Sequence, residues 1–220
     1  IKSYRAERRH TLAFVVPSGG SLASAATLTH SKIDVVLATI GVLAWVACHQ
    51  GDYVTVVAPG QDGPSVARPS YRDTEIENML AGLDAGCRLE APDPDLVELL
   101  DLTASGLRRR CIVVVVLDDW DPRPADIDAL ASLCARHEVL AIEVSDLDLT
   151  DPALAAVPTR DQASGQPVPG FVARDRQVRE QAVAARQERA RRRGHTLDRL
   201  GIIHESVADV DDSIAAVSYT

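Results

Sequence analysis

Two groups of oxygen-bearing side chains occur where an α/β protein usually places its chemistry. Ser18 and Ser21 belong to the loop "PSGGS", which follows the apolar run "TLAFVV". Asp118 and Asp119 follow "CIVVVVL", a continuous run dominated by valine. Hydroxyl and carboxylate oxygens are the ligands that a hard cation such as Mg²⁺ prefers, but such groups also cap loops and helices after buried strands. The two groups therefore predict either a cation site or a set of caps at the ends of two strands.

The loop "PSGGS" does not match the known phosphate-binding or nucleophile patterns. Neither G-x-x-x-x-G-K-[ST] nor G-x-G-x-x-G is present, and the first lysine after the glycines is Lys32. A nucleophile turn of the form G-x-S-x-G needs a glycine that "VPSGG" lacks. His30, His49 and His137 fall at predicted helix starts or ends, and nothing ties His204 to a serine. A small hydrolase or nucleotide-binding enzyme stays open only as a second alternative.

The elements that must position these groups alternate between strands and helices. Apolar runs predict strands at residues 11–16, 53–58, 111–117 and 138–144, and helical spacing predicts helices at 31–48, 73–86, 93–107 and 125–137. This order predicts an α/β protein with a doubly wound, mostly parallel central sheet flanked by helices, a Rossmann-like three-layer sandwich. Ligands bind at the carboxyl ends of such strands, so loops 17–24, 58–63 and 118–121 should share one edge.

Finer boundaries follow from caps and breakers in the sequence. Ser31 is expected to cap the first long helix, and Asp93 to cap the helix that Pro94 begins. Residues 145–170 are predicted to form a surface excursion, with a short edge strand near 168–172. A basic helix over 174–193 is expected to stop at Gly194, followed by a strand in "LGIIHES" and a final helix in "VADVDDSIAAVSY".

Composition predicts a soluble globular protein with residues 1–220 in a single domain. Hydrophobic residues make up 46% of the chain, charged residues 25%, and the formal charge of −9 argues against nucleic-acid binding. The four cysteines are far apart, which favours buried reduced thiols and a cytoplasmic setting. The apolar run 33–48 contains Asp34 and is shorter than the roughly 18 residues that span a bilayer, so it predicts a core helix.

The chain begins without methionine. We interpret it as a C-terminal fragment of a longer chain, in which a missing N-terminal segment is where a membrane anchor would lie.

Ordered blocks along the whole chain resemble the bacterial domain of unknown function 58 family, a branch of the von Willebrand factor A-like domains. The blocks are "YRAERRHTLAFVV", "SKIDVVLATIGVLAWVACHQGDYVTVV", "LRRRCIVVVVLDDWDP", "LCARHEVLAIEVSDLDLTDPAL" and "RDRQVREQAVAARQERARRRGH". The resemblance covers nearly all 220 residues. It implies a von Willebrand factor A fold and a metal-ion-dependent adhesion site, with D-x-S-x-S in the first loop, threonine in the second and aspartate in the third.

This sequence departs from that site at its principal ligand. Val16 or Pro17, depending on the alignment, stands where the first-loop aspartate belongs, and the second loop offers Cys87 and Arg88. We therefore expect a degenerate site and no cofactor. The first alternative is a binding module that takes Mg²⁺ or Mn²⁺ weakly through the hydroxyl and carboxylate groups, namely Ser18, Ser21, Asp118 and Asp119.

The partner-binding candidates are an aromatic residue with its acidic neighbour and four arginines of the basic helix: Trp120, Asp121, Arg186, Arg189, Arg192 and Arg193. Trp120 is either an exposed rim residue or a core residue. The basic helix is either a solvated face around an apolar stripe or a docking surface for an acidic partner, since clustered arginines favour bidentate contacts.

The expected function is that of a non-enzymatic protein–protein interaction or adaptor domain. The family resemblance implies work with a MoxR-type AAA+ ATPase in chaperone-like assembly. Because the first loop lacks its carboxylate, contacts with the partner are expected to be metal-independent. No nucleic acid and no membrane contact by this domain itself are expected.

Overall fold

Six strands form one sheet in the order β3-β2-β1-β4-β5-β6. The computed structural model describes residues 9–60, 63–151, 153–154, 157–162 and 164–210. The strands are β1 (Thr11–Val15), β2 (Tyr53–Gly60), β3 (Gly63–Val66), β4 (Ile112–Leu117), β5 (Glu138–Val144) and β6 (Ile203–Val207). The helices are α1 (Gly20–Ala23), α2 (Lys32–His49), α3 (Asp73–Gly86), α4 (Leu96–Gly106), α5 (Pro124–Cys134), α6 (Phe171–Arg174) and α7 (Arg176–Arg199).

The centre of the sheet is parallel and buried on both faces. β1 pairs with β2 on one side and with β4 on the other, so that Val15 lies between Val57 and Val115. Every residue from Val113 to Val116 is almost fully buried, which is why β4 reads as an unbroken apolar run rather than an alternating one. The predicted α/β fold with a mostly parallel sheet is confirmed.

Helices cover both faces of the sheet. α2 and α3 pack on one face through residues such as Val36, Ile40 and Leu83. α4 and α5 cover the other face, where Leu197 of α7 joins them. Ser31 is the N-cap of α2, as predicted, and its side chain forms a capping box with Asp34.

The long apolar helix α2 belongs to the core, as its sequence predicts. In the part of the chain that the structure describes, it is the one helix that is long and apolar enough to cross a membrane. Length and composition alone are weak grounds for a membrane span, and 44% of its residues are buried inside the fold. Its packing against β2 and α3 accounts for the apolar run without a bilayer.

Two edge features differ from the predictions. β3 lies in a stretch predicted as loop and pairs antiparallel with β2. Its Gly63 and Pro64 are residues typical of loops, but proline is tolerated in a short strand at the edge of a sheet. The edge strand expected near 168–172 is wrong, because α6 begins at Phe171 and the nearest pairing is the isolated bridge between Arg160 and Pro167.

α7 does not stop at Gly194, so that predicted boundary is wrong. The helix continues for another turn and buries Leu197, and the chain reverses at Gly201, which has a positive φ of 69°. A Cβ atom on Gly194 would lie 3.3 Å from His204 Cε1. Gly194 therefore lies inside α7, where the helix packs closely against His204 of β6, and it does not end the helix.

The remaining predicted boundaries have mixed outcomes. The last strand is present as β6, whereas most of the predicted final helix (residues 211–220) lies outside the described residues. α4 begins two residues later than predicted, because Asp95 caps it by accepting a hydrogen bond from the Val97 N–H. Asp93 instead accepts a hydrogen bond from the Ser21 N–H at 2.7 Å.

We predict that His137 makes the fold sensitive to mild acid. The side chain is buried, its Nδ1 accepts a 3.3 Å hydrogen bond from the Cys111 N–H, and its Nε2 has no partner among the described residues. Burial, aided by the charges of Arg136 and Arg110, lowers the pKa of the imidazole. Below the unfolded-state pKa of about 6.5, His137 binds a proton more readily in the unfolded chain than in the folded one. The free energy of unfolding should therefore decrease as the pH is lowered.

The measurement is urea unfolding between about pH 7 and pH 5, where carboxylates contribute less. His137→Asn keeps an acceptor near the Cys111 N–H and cannot gain a proton, so its unfolding free energy should vary less with pH. His49→Asn, at an exposed position, is the control and should retain the wild-type slope. Equal slopes for all three proteins would contradict the assignment.

Candidate functional site

The carboxyl edge of the sheet brings the first and third loops together, as the sequence predicts. The Ser21 hydroxyl, in α1 just after β1, donates a hydrogen bond to the Asp118 carboxylate, which follows β4. Neighbouring parallel strands β1 and β4 end at the same edge, so groups almost one hundred residues apart in sequence become neighbours. No histidine is bonded to Ser21 in the described ranges, so the serine–histidine pair of many nucleophilic sites is not formed by this residue.

The other two predicted ligands lie elsewhere. Ser18 is buried against the end of α3, where a Cβ on Gly86 would lie 3.5 Å from its hydroxyl. Asp119 is adjacent to Asp118 in sequence, yet it accepts its hydrogen bond from Arg193 of α7, at 2.7 Å. Of the four candidate ligands, the structure thus unites Ser21 and Asp118.

A lysine that the sequence analysis set aside lies at the centre of this edge. The side chain of Lys32 is only 2% exposed. Its Nζ lies 2.5 Å from Asp146 Oδ1, 3.3 Å from Ser21 Oγ and 3.6 Å from Asp118 Oδ2. The ammonium is therefore surrounded by oxygens from the loops that follow β1, β4 and β5.

Local structure fixes both the ammonium and its partners. Lys32 is the first residue of α2, and its N–H donates to the Ser24 carbonyl at 2.8 Å. The Leu147 N–H donates to the Ala25 carbonyl at 3.0 Å, which holds Asp146 beside the same loop. A sequence signal for Lys32 does exist, because it lies three and four residues before the buried Val35 and Val36 and so shares their inward helix face.

The two glycines of "PSGGS" are required by a close neighbour. A Cβ on Gly20 would lie 2.7 Å from the Ala91 carbonyl and 2.9 Å from that of Leu89, and a Cβ on Gly19 would lie 2.9 Å from the Pro92 carbonyl. The Gly20 N–H donates to the Ala91 carbonyl at 3.1 Å. Segment 89–93 therefore occupies the space that a serine of the D-x-S-x-S pattern would need at either position.

The residues present do not fit a divalent cation. Val16, one of the two positions for the missing aspartate, is fully buried and has no oxygen in its side chain. In the second loop, burial raises the pKa of the Cys87 thiol to about 11, which keeps it protonated. Among the described residues, no group of three or more His, Cys, Asp or Glu side chains could hold a metal ion. The ammonium of Lys32 would also repel such an ion.

The basic helix α7 turns its predicted partner-binding arginines toward acids of this same edge. Arg186 pairs with Asp148 at 2.6 Å, and Arg189 pairs with Asp119 at 3.3 Å. Arg193 is 9% exposed and also contacts Glu143, at 2.8 Å.

The other two predicted contact residues differ, because Arg192 pairs within α7 and Arg193 is buried among acids. Arg192 pairs with Glu188 one turn away, at 3.2 Å. Burial opposes the charge of Arg193, but its hydrogen bond to Glu143 and the charges of Asp119 and Glu143 outweigh burial and raise its pKa. Glu143 in turn contacts His204 of β6 at 3.1 Å.

A cleft of about 430 Å³ opens beside Ser21 and Asp118. Trp120 lies in its wall, partly buried against the core, and donates through Nε1 to Asp126 at 3.1 Å. Burial alone would raise the pKa of Asp126, but hydrogen bonds from Arg123 and Trp120 outweigh it and hold that pKa below its usual range. Asp121 is exposed on the same loop. The cleft is the concave surface of the carboxyl edge and is rich in carboxylates.

The strand order, with helices on both faces of the sheet, is that of a doubly wound α/β fold of the von Willebrand factor A-like type. The chain belongs to the family described as "Protein of unknown function DUF58", which matches residues 1–192. Among curated proteins, none matches the sequence.

Solved structures match the fold at low sequence identity. The conserved hypothetical protein BatB from Bacteroides thetaiotaomicron is 12% identical, with a TM-score of 0.52 over 96% of this chain and 100% of that chain. An aerotolerance-related membrane protein from Bacteroides fragilis is 13% identical, with a TM-score of 0.54 over 96% of this chain and 97% of that chain. A von Willebrand factor type A protein from Catenulispora acidiphila is 16% identical over 79% of this chain and 42% of that chain, with a TM-score of 0.44.

We predict that Gly20→Ala destabilises the protein by about 2 kcal/mol or more, because the new Cβ meets two backbone carbonyls that cannot move independently. Gly82→Ala is the matched control. Gly82 lies exposed within α3 with nothing near its Cβ position, so alanine should stabilise that helix by about 0.5–1 kcal/mol. Chemical denaturation of both variants tests this; an unchanged midpoint for Gly20→Ala would show that segment 89–93 does not press on the loop.

Proposed function

We propose that this protein is a non-enzymatic interaction domain whose carboxyl-edge contacts need no divalent cation. The observation that carries the proposal is the buried Lys32 ammonium, which lies between Asp118 and Asp146. Since a positive charge already holds these loops, an additional metal ion has no role in shaping the surface. The edge is then a degenerate adhesion site, in which the loop arrangement persists without its principal carboxylate.

The chemistry of the edge supports an adaptor rather than an enzyme. Both acids of the third loop are bonded within the chain, Asp118 to Ser21 and Asp119 to Arg193. The Ser21 hydroxyl donates its hydrogen bond to the Asp118 carboxylate, and none of the described histidines accepts it. These bonds rigidify the loops around the cleft, which suits a preformed binding surface.

The partner that we propose is a MoxR-type AAA+ ATPase, which the domain would assist in chaperone-like assembly. Family resemblance supports this choice. We propose a cytoplasmic setting for the domain, in a protein that is attached to a membrane elsewhere in its chain. The similar structure from Bacteroides fragilis, described as a membrane protein, supports the attachment.

We propose that the contact surface is the rim of the cleft at Trp120 and Asp121. Both lie on the loop after β4, and Trp120 combines a large apolar ring with a polar edge, a combination enriched in binding hot spots. Acids of the same chain pair with three arginines of α7, namely Arg186, Arg189 and Arg193. We therefore assign these arginines a structural role, in which they stabilise the loops of this surface. Arg192 is more exposed and stays a candidate for direct contact.

Trp120→Ala should weaken binding to a MoxR-type ATPase from the same genome by about tenfold or more, as expected for a central aromatic contact. Trp45→Ala is the matched control, because Trp45 is the only other tryptophan and is 59% exposed on α2. Calorimetry with the 220-residue chain measures both affinities. Equal losses in the two variants, or binding that neither variant weakens, would contradict the proposed surface.

Metal independence has its own test on the domain alone, which avoids the Mg²⁺ requirement of the ATPase. The melting temperature of the wild-type chain should be the same in EDTA, Mg²⁺ and Mn²⁺. A metal-dependent module would instead show a saturable rise of about 3–6 °C at tenfold excess over its Kd. Such a rise, if EDTA reversed it and Asp118→Asn abolished it, would favour the metal-dependent alternative.

A further inference from the structure

We infer that the Lys32 side chain is a built-in cation that takes the place of the metal ion, and that it masks a latent divalent-cation site. This inference deepens the proposed function and rests on it, because it explains how the carboxyl edge dispenses with metal. The ammonium is tethered to the first turn of α2. It cannot dissociate, and a chelator cannot remove it.

The position of the ammonium is the first argument. Nζ has oxygen neighbours from three separate segments, namely Ser21, Asp118 and Asp146, all within 3.6 Å. A metal ion in such a site has the same effect, because its positive charge holds together loops whose carboxylates would otherwise repel one another. Lys32 is also almost fully buried, so its charge is screened weakly by water and acts strongly on these neighbours.

The balance of charge is the second argument. An ammonium carries one positive charge where Mg²⁺ carries two, so it needs one carboxylate fewer around it. The first loop has lost one, since Val16 or Pro17 occupies the place of the aspartate. Asp118 and Asp146 already give the ammonium two carboxylates, so a further acid in the first loop would add a negative charge that the lysine could not neutralise.

The choice of lysine is the third argument. Of the 23 Lys and Arg residues in the chain, only Lys2 and Lys32 are lysines. Arginine is thus the usual cation of this protein, and α7 uses it for every ion pair at the same edge. An ammonium is a compact point charge with three donors, whereas a guanidinium is a wide planar fork. The buried position between three oxygens suits the former.

The test removes the ammonium and supplies a metal ion in its place. Lys32→Ala leaves the Ser21 hydroxyl and two carboxylates around a space, and Mg²⁺ sites commonly use one or two carboxylates with water completing the shell. The variant should melt about 5–10 °C below wild type in EDTA, because two carboxylates lose their counter-ion. Mn²⁺ or Mg²⁺ should restore part of that loss, with half-saturation on the order of 1 mM.

Two control variants separate charge from packing. Lys32→Met fills the same space without charge, so it should be destabilised and should respond less to metal than Lys32→Ala. Lys32→Ala combined with Asp146→Asn should lose the metal response, because one of the two carboxylates is gone. Electron paramagnetic resonance of Mn²⁺ counts bound ions directly and gives a readout that a purely structural role for Lys32 would not move.

The outcomes distinguish this inference from the function on which it rests. A folded Lys32→Ala that binds no Mn²⁺ overturns the built-in cation while leaving a metal-independent adaptor intact. If that variant does not fold, the wild-type chain still decides: rapid acetylation of Lys32 in the native state, at a rate equal to that in the urea-unfolded chain, would overturn the buried ammonium. Failure of the Trp120→Ala experiment would reject the contact surface and leave Lys32 unaffected.

Discussion

The ion pairs of the Lys32 ammonium are the interaction on which the carboxyl edge depends. Asp118 follows β4 and Asp146 follows β5, while Ser21 belongs to the turn after β1. A backbone hydrogen bond from the Leu147 N–H to the Ala25 carbonyl joins the Asp146 segment to the first loop. The acids of these segments would repel one another without a cation between them. The single ammonium therefore links α2, the first long helix, to both halves of the sheet, and it contacts the Ser21 hydroxyl that bonds to Asp118.

A second set of ion pairs braces the same edge from the side of α7. Arg193 joins Asp119 to Glu143, and Glu143 also contacts His204 of β6. Adjacent residues of one loop are thus held by different cations, Asp118 by lysine and Asp119 by arginine. This division explains why Asp119 does not join Asp118 at the candidate site, and it gives the charged face of α7 an intramolecular partner.

Most of the fold could be predicted from the sequence, because periodicity and burial are local consequences of residue type. The run of valines in β4 and the capping box at Ser31 required no knowledge of distant contacts. The missed features depend on approach between distant segments. Gly194 looks like a helix stop, but it lies inside α7, where the helix packs closely against His204 of β6. Asp93 looks like a helix cap, but its carboxylate is taken by the Ser21 N–H.

By itself, the sequence determined the class of the domain and the absence of a carboxylate at positions 16 and 17, since both follow from residue identity alone. Only the tertiary structure decided what replaces that carboxylate's cation. In the sequence, Lys32 is an ordinary residue of the first turn of a helix. In the fold, the loops after β4 and β5 cover it, its side chain is only 2% exposed, and its charge forms buried ion pairs instead of being solvated. The physical reason is that the strength of an ion pair depends on burial and on neighbours far along the chain, and local sequence predicts neither of them.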